Sequence, residues 1–438
     1  MKSKCNAFSL SIIFLIVGAC TKPPTMPAVT LEPPSSLTPT YPPGPTAAAT
    51  STPGRGDDEC IGSFEYFAYH VFDYGDKSIP KNIRPLSPWE VALEFPDTAL
   101  YTVLGARQIA GRTEIWVSRF DYDDDTREKE NNIIIYNPDS GLQTKIPAFI
   151  GDTGLWVEDI FFIEDGSVWG RNNWSSYANH SLTSFPILSK YNPENRKFEF
   201  DPNVFEVRLT NNQKNQTNPE IIDRPDIFLN KDGIFWFFVN RDGLYSYDPS
   251  TAKTTKHLAI PKEEIYNPIL APDGNIYYQY AKTLEQAFAA FETKIVNQDI
   301  FQFSPKTETL TVYTTIREVW PLGGTMWMDQ AGRLWFGALG WLNPDGVWQI
   351  IHPDIEAYNE HKLDWFSYTR WQTPFIKTES SNGLLWFYKL READDGIAWY
   401  DPKTGKGCWF TTNIGRVIEG PGGIMWHAGN GKLYKYDL

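Results

Sequence analysis

Few side chains in this 438-residue sequence are of the kinds that carry out catalysis. Histidine occurs six times, and His427 stands after Trp426 in a strand-like run, where it could act as a general base or simply pack. Asp121-Tyr122-Asp123-Asp124-Asp125 offers the oxygens a cation needs. It lacks the glycine and closing glutamate of an EF-hand loop, so a solvated acidic loop is the plainer reading. No His-x-x-x-His or Cys-x-x-Cys spacing suggests zinc, and neither a Gly-x-Ser-x-Gly elbow nor a phosphate loop occurs. No cofactor is expected on these grounds.

What remains suits recognition better than chemistry. Arg171, Arg224, Arg241, Arg391 and Arg416, with Asp159 and Asp226, fall at the starts or ends of strand-like runs. Arginines gathered around one opening would attract an anionic group such as a carboxylate. The bland alternative is that they pair with loop carboxylates. Trp174, Trp365, Tyr368 and Trp371 lie in long insertions, where they could stack on sugar rings, pack a protein partner, or form cores of their own loops.

These residues need elements to hold them, and the elements repeat. A glycine followed three residues later by an aromatic occurs as Gly166–Trp169, Gly233–Trp236, Gly274–Tyr277, Gly332–Trp335, Gly383–Trp386 and Gly423–Trp426. Gly111–Trp116 is a copy with two extra residues. Each is followed by a second element: Tyr136-Asn-Pro138, Tyr191-Asn-Pro193, Tyr247-Asp-Pro249, Phe303-Ser-Pro305, Leu342-Asn-Pro344, Tyr400-Asp-Pro402 and a shortened Tyr436-Asp437. Glycine supplies a positive φ to a tight turn capped by the preceding Asp or Asn, and proline stops the strand. A period of roughly 50 residues matches a propeller blade. The expected fold is all-β, a seven-bladed β-propeller. Its last repeat lacks an outer strand, which the stretch 89–108 is expected to supply. The glycine and proline turns stay short. The long insertions fall between second and third strands, or between one repeat and the next. They should therefore crown one face, with a short helix predicted over 284–296.

The motif Asp232-Gly233-x-x-Trp236 followed by Gly243-Leu-Tyr-x-Tyr247-Asp-Pro249 resembles the propeller repeats of two-component regulators over about residues 89–438. That resemblance implies the fold but not a ligand. Such proteins often carry a kinase module after the propeller; the sequence ends at Leu438, so no signalling output of its own is expected. Asn413-Ile-Gly415-Arg416 followed by Gly423-Ile-Met-Trp426 resembles a repeat of virginiamycin B lyase, a propeller enzyme that uses a metal and a histidine base. This implies His427 as the base and a divalent metal as cofactor. That family has Phe-Thr-Glu after the tryptophan, where His427-Ala428 stands here.

The first residues read differently. Met1-Lys2-Ser3-Lys4 is a positive start, and Phe8 to Val17 is a mostly apolar run too short for the about 20 residues of a span. Val17-Gly18-Ala19-Cys20 resembles the lipobox of bacterial lipoproteins, which implies cleavage of 1–19 and lipidation of Cys20. Residues 20–58 are rich in Pro and Thr and too poor in apolar side chains to fold. They should form an extended tether, and 59–438 the propeller. Beyond the leader only Cys60 and Cys408 remain. They could form a disulfide in an oxidising compartment or stay separate buried thiols.

A net charge of -14 argues against nucleic acid. Mean hydropathy of -0.40 excludes a multi-span membrane protein. The functional expectation is a lipid-anchored, extracytoplasmic binding module on the cell membrane or outer membrane. Its partners would be membrane lipid through acylated Cys20 and a protein or glycan through the crowned face. The rival is a metal-dependent lyase on an extracellular polysaccharide.

Overall fold

The structure, a computed structural model, describes residues 62–63 and 89–437, except 97–98, 121–130, 152, 154, 175–183, 209–225, 240–241, 260–263, 282–297, 317–325, 338–339, 351–374, 390–395, 412–415 and 430. Among the described residues, all regular structure is β-strand apart from one 3-10 turn at Pro421–Gly423. None of the described helical structure is long and apolar enough to cross a membrane.

The strands form seven antiparallel sheets of four, with a fifth strand on one of them. Numbered along the chain, the blades begin with the innermost strands Leu100–Ile109, Leu155–Phe162, Ile227–Leu229, Glu264–Leu270, Met326–Met328, Phe375–Glu379 and Val417–Glu419. Innermost strands of successive blades lie side by side, and that of blade 7 returns against blade 1, which closes the ring. The protein is a seven-bladed β-propeller.

Closure comes from the stretch expected to supply it, which serves two blades. Glu90–Glu94 pairs with Lys432–Asp437 as the outermost strand of blade 7, and Leu100–Ile109 then turns inward as the first strand of blade 1. Trp89 packs edge-on to Trp386, with ring centroids 6.0 Å apart. Phe95 stacks on Tyr101 at 3.7 Å.

The two repeated sequence elements prove to be partners across blades. The second-strand aromatic of each blade meets the third-strand residue of the next. Trp116 lies 5.3 Å from Tyr191 and Trp169 lies 5.8 Å from Tyr247. Trp236 lies 6.0 Å from Phe303, Trp335 lies 5.9 Å from Tyr400, and Trp386 lies 6.1 Å from Tyr436. Tyr277 shares a cluster with Leu342, and Trp426 shares one with Tyr136, so the pattern runs through the closure. All seven second-strand aromatics are buried. Edge-on aromatic contacts of this kind are worth about 0.5–1.5 kcal/mol beyond burial.

The turn between first and second strands behaves as its sequence requires. Gly166, Gly233, Gly274, Gly332, Gly383 and Gly423 all have φ between 77° and 88°. The Asx side chains cap these turns: Asp165 accepts from Ser167 N at 2.7 Å, and Asn230 accepts from Asp232 N and Ile234 N. Glutamates tie one turn to the next. Glu379 of blade 6 accepts from Gln330 N of blade 5 at 2.8 Å, and Glu419 of blade 7 accepts from Ser381 N of blade 6 at 2.7 Å.

Gly62–Ser63 adds a fifth strand to blade 6, with Ser63 opposite Cys408. Cys60, the leader with Cys20, the tether and the predicted helix over 284–296 lie outside the described residues.

Candidate functional site

In an antiparallel blade, the end of the second strand and the start of the first lie at the same end of the axis. The inter-blade connections and the second-to-third-strand insertions attach at that end, here called the crown. Asp159, Asp226 and Arg416 each stand seven residues before their blade's turn glycine, Gly166, Gly233 and Gly423. They occupy equivalent places near the axis on blades 2, 3 and 7. Two β-bulges alter the pattern. One leaves Glu158 out of register between Val157 and Asp159, and the other leaves Lys377 out of register between Ile376 and Thr378. A bulge re-aims the side chain it carries and is common beside functional sites.

The charges from these places meet. Arg171, opposite Asp159 on the second strand of blade 2, sets Nη2 2.5 Å from Asp159 Oδ2 and 3.0 Å from Glu158 Oε2. Arg416 Nη1 bonds the other oxygen, Asp159 Oδ1. That bond joins blade 7 to blade 2 and passes over blade 1. The field of Asp226 on blade 3 acts on both Arg171 and Lys377 of blade 6. Blades 3 and 6 are not neighbours, so these groups influence one another across the axis itself. Arg171 and Asp159 are each 15% exposed and Arg416 is 30% exposed. Lys377 and Asp226 are open to water. Burial pushes Arg171 and Arg416 below the ordinary guanidinium range. Lys377 is pushed down to about 8, first by the protein crowded around it and then by Arg171, with Asp226 opposing.

The wall beside this cluster is built from the blade 2 insertion. Ser184–Pro186 pairs with Glu206–Arg208 in a ribbon of its own. Buried Asn172, next to Arg171, holds the ribbon by donating Nδ2 to Pro186 O at 2.8 Å and accepting from Ser189 Oγ at 2.7 Å. Phe205, on the returning chain, packs 5.0 Å from Tyr245 and 5.5 Å from Phe237 of blade 3.

Of the residues proposed from sequence, Asp159, Arg171 and Arg416 are in direct contact, and Asp226 joins them electrostatically. The bland alternative, pairing with carboxylates, holds for Arg171 and Arg416, but the carboxylates belong to the axis and not to loops. Arg224, Arg241, Arg391, Trp365, Tyr368 and Trp371 lie outside the described residues, as do Asp121 to Asp125. Trp174 ends the second strand of blade 2. Glu158 and Lys377 were not singled out. Counting back from the turn glycine would have reached Lys377, had the bulge not shifted it by one position.

His427 is fully buried. Its Nδ1 lies 3.3 Å from Arg416 O, and its ring lies 6.0 Å from both Trp89 and Tyr434. Burial pushes it down to about 4, so it is neutral and packed beneath the ion cluster. Nothing in this setting favours a catalytic base.

One arrangement escaped sequence reading altogether. Ser246 Oγ lies 2.8 Å from His257 Nε2, and His257 Nδ1 lies 3.3 Å from Glu308 Oε1. The order is that of a hydrolytic triad, but the setting is not. Ser246 is 8% exposed and sits mid-strand, paired with Trp236 on one side and Thr255 on the other. A nucleophile needs an approach and backbone donors for the oxyanion, and a doubly paired strand spends its donors in the sheet. The contact satisfies a buried hydroxyl and links blade 3 to blade 4.

No family model matches the chain, and no curated protein does. Solved structures similar to it include the extracellular domain of a one-component system from B. thetaiotaomicron. That likeness has 12% identity and TM-score 0.27, over 76% of this chain and 45% of the other. PorZ, a surface component of the type-IX secretion system of Porphyromonas gingivalis, gives 12% identity and TM-score 0.39, over 80% of this chain and 48% of that one. A puromycin hydrolase gives 14% identity and TM-score 0.39, over 79% and 52%. The chain thus spans about half the length of these proteins. Likenesses this distant say nothing of function, so the functional case rests on the site.

Proposed function

We propose that this protein is a lipid-anchored, extracytoplasmic binding module that engages a protein or glycan through its crown. The observation that supports this reading is the convergence of Arg171, Asp159, Glu158, Arg416, Lys377 and Asp226 on the axis at the crown end. Partly buried ion pairs such as Arg171, Glu158, Asp159 and Arg416 rarely improve on a packed apolar core, so their retention at the axis supports a role in recognition. Arg224, Arg241, Arg391, Trp365 and Trp371 are proposed to extend the same surface. The lyase reading has no comparable support, since its base would be the buried, neutral His427.

Anchoring rests on the leader sequence and Cys20. A disulfide between Cys60 and Cys408 is proposed as a staple. The register of Ser63 against Cys408, with Cys60 three residues upstream of Ser63, supports it.

Two experiments test this. Expressed from its full gene in a bacterium, the protein should partition with membranes and carry diacylglyceryl on its first residue by mass spectrometry, and Cys20→Ala should release it. Recovery of the wild type in the soluble fraction would refute anchoring. A glycan array and crosslinking to envelope extracts should give a bound species that is lost with Arg171→Met and Arg416→Met and kept with changes at the opposite end. Binding that survives the crown changes would refute the crown.

A further inference from the structure

The outermost strand of a blade turns one row of backbone donors and acceptors outward, where a second strand could pair with it. Most blades here carry a means of preventing that. The outer strands of blades 1, 2, 3 and 7 bear Lys145, Lys197, Lys256 and Glu90. That of blade 5, Trp348–Ile350, is only three residues long, and that of blade 6 is already covered by Gly62–Ser63. Blade 4 has none of these devices. Its outer strand, Thr309–Ile316, is eight residues without a charge. Among the described residues no strand lies beyond it.

Within this strand Thr309–Val312 is regular, opposed residue by residue to Phe301–Ser304, and a bulge follows at Tyr313. All four side chains of the regular stretch are exposed. Leu310 at 39% and Val312 at 41% stand two positions apart, so they share one face of the strand, with Thr311 between them on the other.

That spacing is self-complementary. Residues opposed in an antiparallel pair either exchange both backbone bonds or exchange neither, and the two kinds alternate along a strand. Identical strands show the same alternation, so residues opposed across a two-fold pair differ by an even number of positions, and one residue meets its own copy. With Thr311 at that centre, Leu310 of each copy meets Val312 of the other. The exposed apolar side chains of one edge then cover those of the second, and Thr311 meets Thr311, a favourable cross-strand pair. No charges of the strand oppose one another. A net charge of -14 makes copies repel over most of their surface, so an uncharged edge is where they can approach.

We propose that two copies of this protein associate edge to edge through the outer strands of blade 4, antiparallel, with Thr311 on the two-fold axis. The two blades become one sheet of eight strands. A four-residue edge by itself buries less than the about 1,200 Å² of a standard interface, so the pair is weak in dilute solution. The contact does not use the crown, and it stands or falls apart from the binding reading.

Cysteine crosslinking of the full chain, inside the bacterium that expresses it, tests this because it captures weak pairs. On oxidation with copper phenanthroline, Thr311→Cys should give a reductant-sensitive band at twice the monomer mass, about tenfold above wild type, since opposed Cβ atoms lie within disulfide reach. Lys145→Cys, on the outer strand of blade 1, should stay at the wild-type level. Cys60 and Cys408 are present in all three chains, so any band they cause is subtracted. Adding Leu310→Lys or Val312→Glu to Thr311→Cys should each cut the band about fivefold, because a charge on an edge deters pairing. Adding both should restore it, because each new lysine then meets a new glutamate of the other copy. Circular dichroism melting of the purified variants checks that they fold. A band no stronger than that of Lys145→Cys overturns the proposal, as does a double charge variant that stays as weak as the single ones. A crosslink to a different protein overturns it too, by giving the edge to a foreign strand.

Discussion

The two ends of this propeller are built from the same seven repeats and have diverged in opposite directions. At the turn end, glycines with positive φ, Asx caps and inter-blade glutamates recur from blade to blade. Each group there is neutralised or bonded locally, within its own turn or the next. At the crown end the positions near the axis hold Asp159, Asp226, Lys377 and Arg416, which vary in charge from blade to blade, and the pair Arg416–Asp159 joins blade 7 to blade 2. A ring needs equivalence to close, and it satisfies that need at the turns and in the aromatic layer. The crown can then depart from equivalence without opening the ring. If the crown binds as proposed, stability and recognition fall to different ends of one strand set.

Four measurements would break or sharpen that division. The largest effect belongs to the aromatic layer. Trp386→Ala removes a fully buried ring packed between Trp89 and Tyr436, and should lower unfolding stability by about 3–5 kcal/mol in urea titrations. A loss below about 1 kcal/mol would show that the inter-blade pairs do not hold the ring together.

Next is the acid response of His427. Burial pushes the imidazole down to about 4, below the ordinary histidine value of about 6.5, so the unfolded chain takes up a proton that the native state refuses. Stability should therefore fall as pH drops from about 6.5 to 4, by on the order of 2–3 kcal/mol. His427→Phe should flatten that part of the pH profile. A slope that persists would place the acid-sensitive group elsewhere.

Glu419→Ala comes third. It removes the bonds to Ser381 N and Ser381 Oγ, and should cost about 1–2 kcal/mol by thermal or urea unfolding. An undiminished stability would mean that blade 7 is held by its sheet alone.

The smallest effect is expected at the crown. Replacing Arg171 and Arg416 by Met, Asp159 by Leu and Glu158 by Gln together should leave stability within about 1 kcal/mol of the parent, since whole buried ion sets exchange for apolar ones nearly evenly. Crown binding should be lost in the same variant. A large destabilisation would erase the division between the two ends.

The blades were readable because glycine turns and Tyr-Asx-Pro elements are local signals that span a few residues. Their partnership was not, because Trp169 meets Tyr247 only after a whole blade intervenes. Arg171, Arg416 and Asp159 could be placed at one mouth by counting strands. Lys377 and Glu158 could not, because a bulge adds a residue without a mark in the sequence, and a charged residue in a strand reads as solvent-facing. His427 looked chemical because it stands alone in sequence, whereas the fold surrounds it with Trp89 from a segment more than 300 residues earlier.

Among the described residues, the strand Glu90–Glu94 pairs with Lys432–Asp437, and this sets an order of events. A strand made early must wait for one made more than 300 residues later, so an arc of six sheets stands ajar until Lys432–Asp437 has been made. Contacts that distant along a chain form slowly. A polypeptide cut short before Lys432 would present a bare edge near Val91, which even in the finished ring is 46% exposed. Any protease or chaperone that reads bare strand edges would meet that edge on a truncated copy, whereas in the closed ring Lys432–Asp437 covers it.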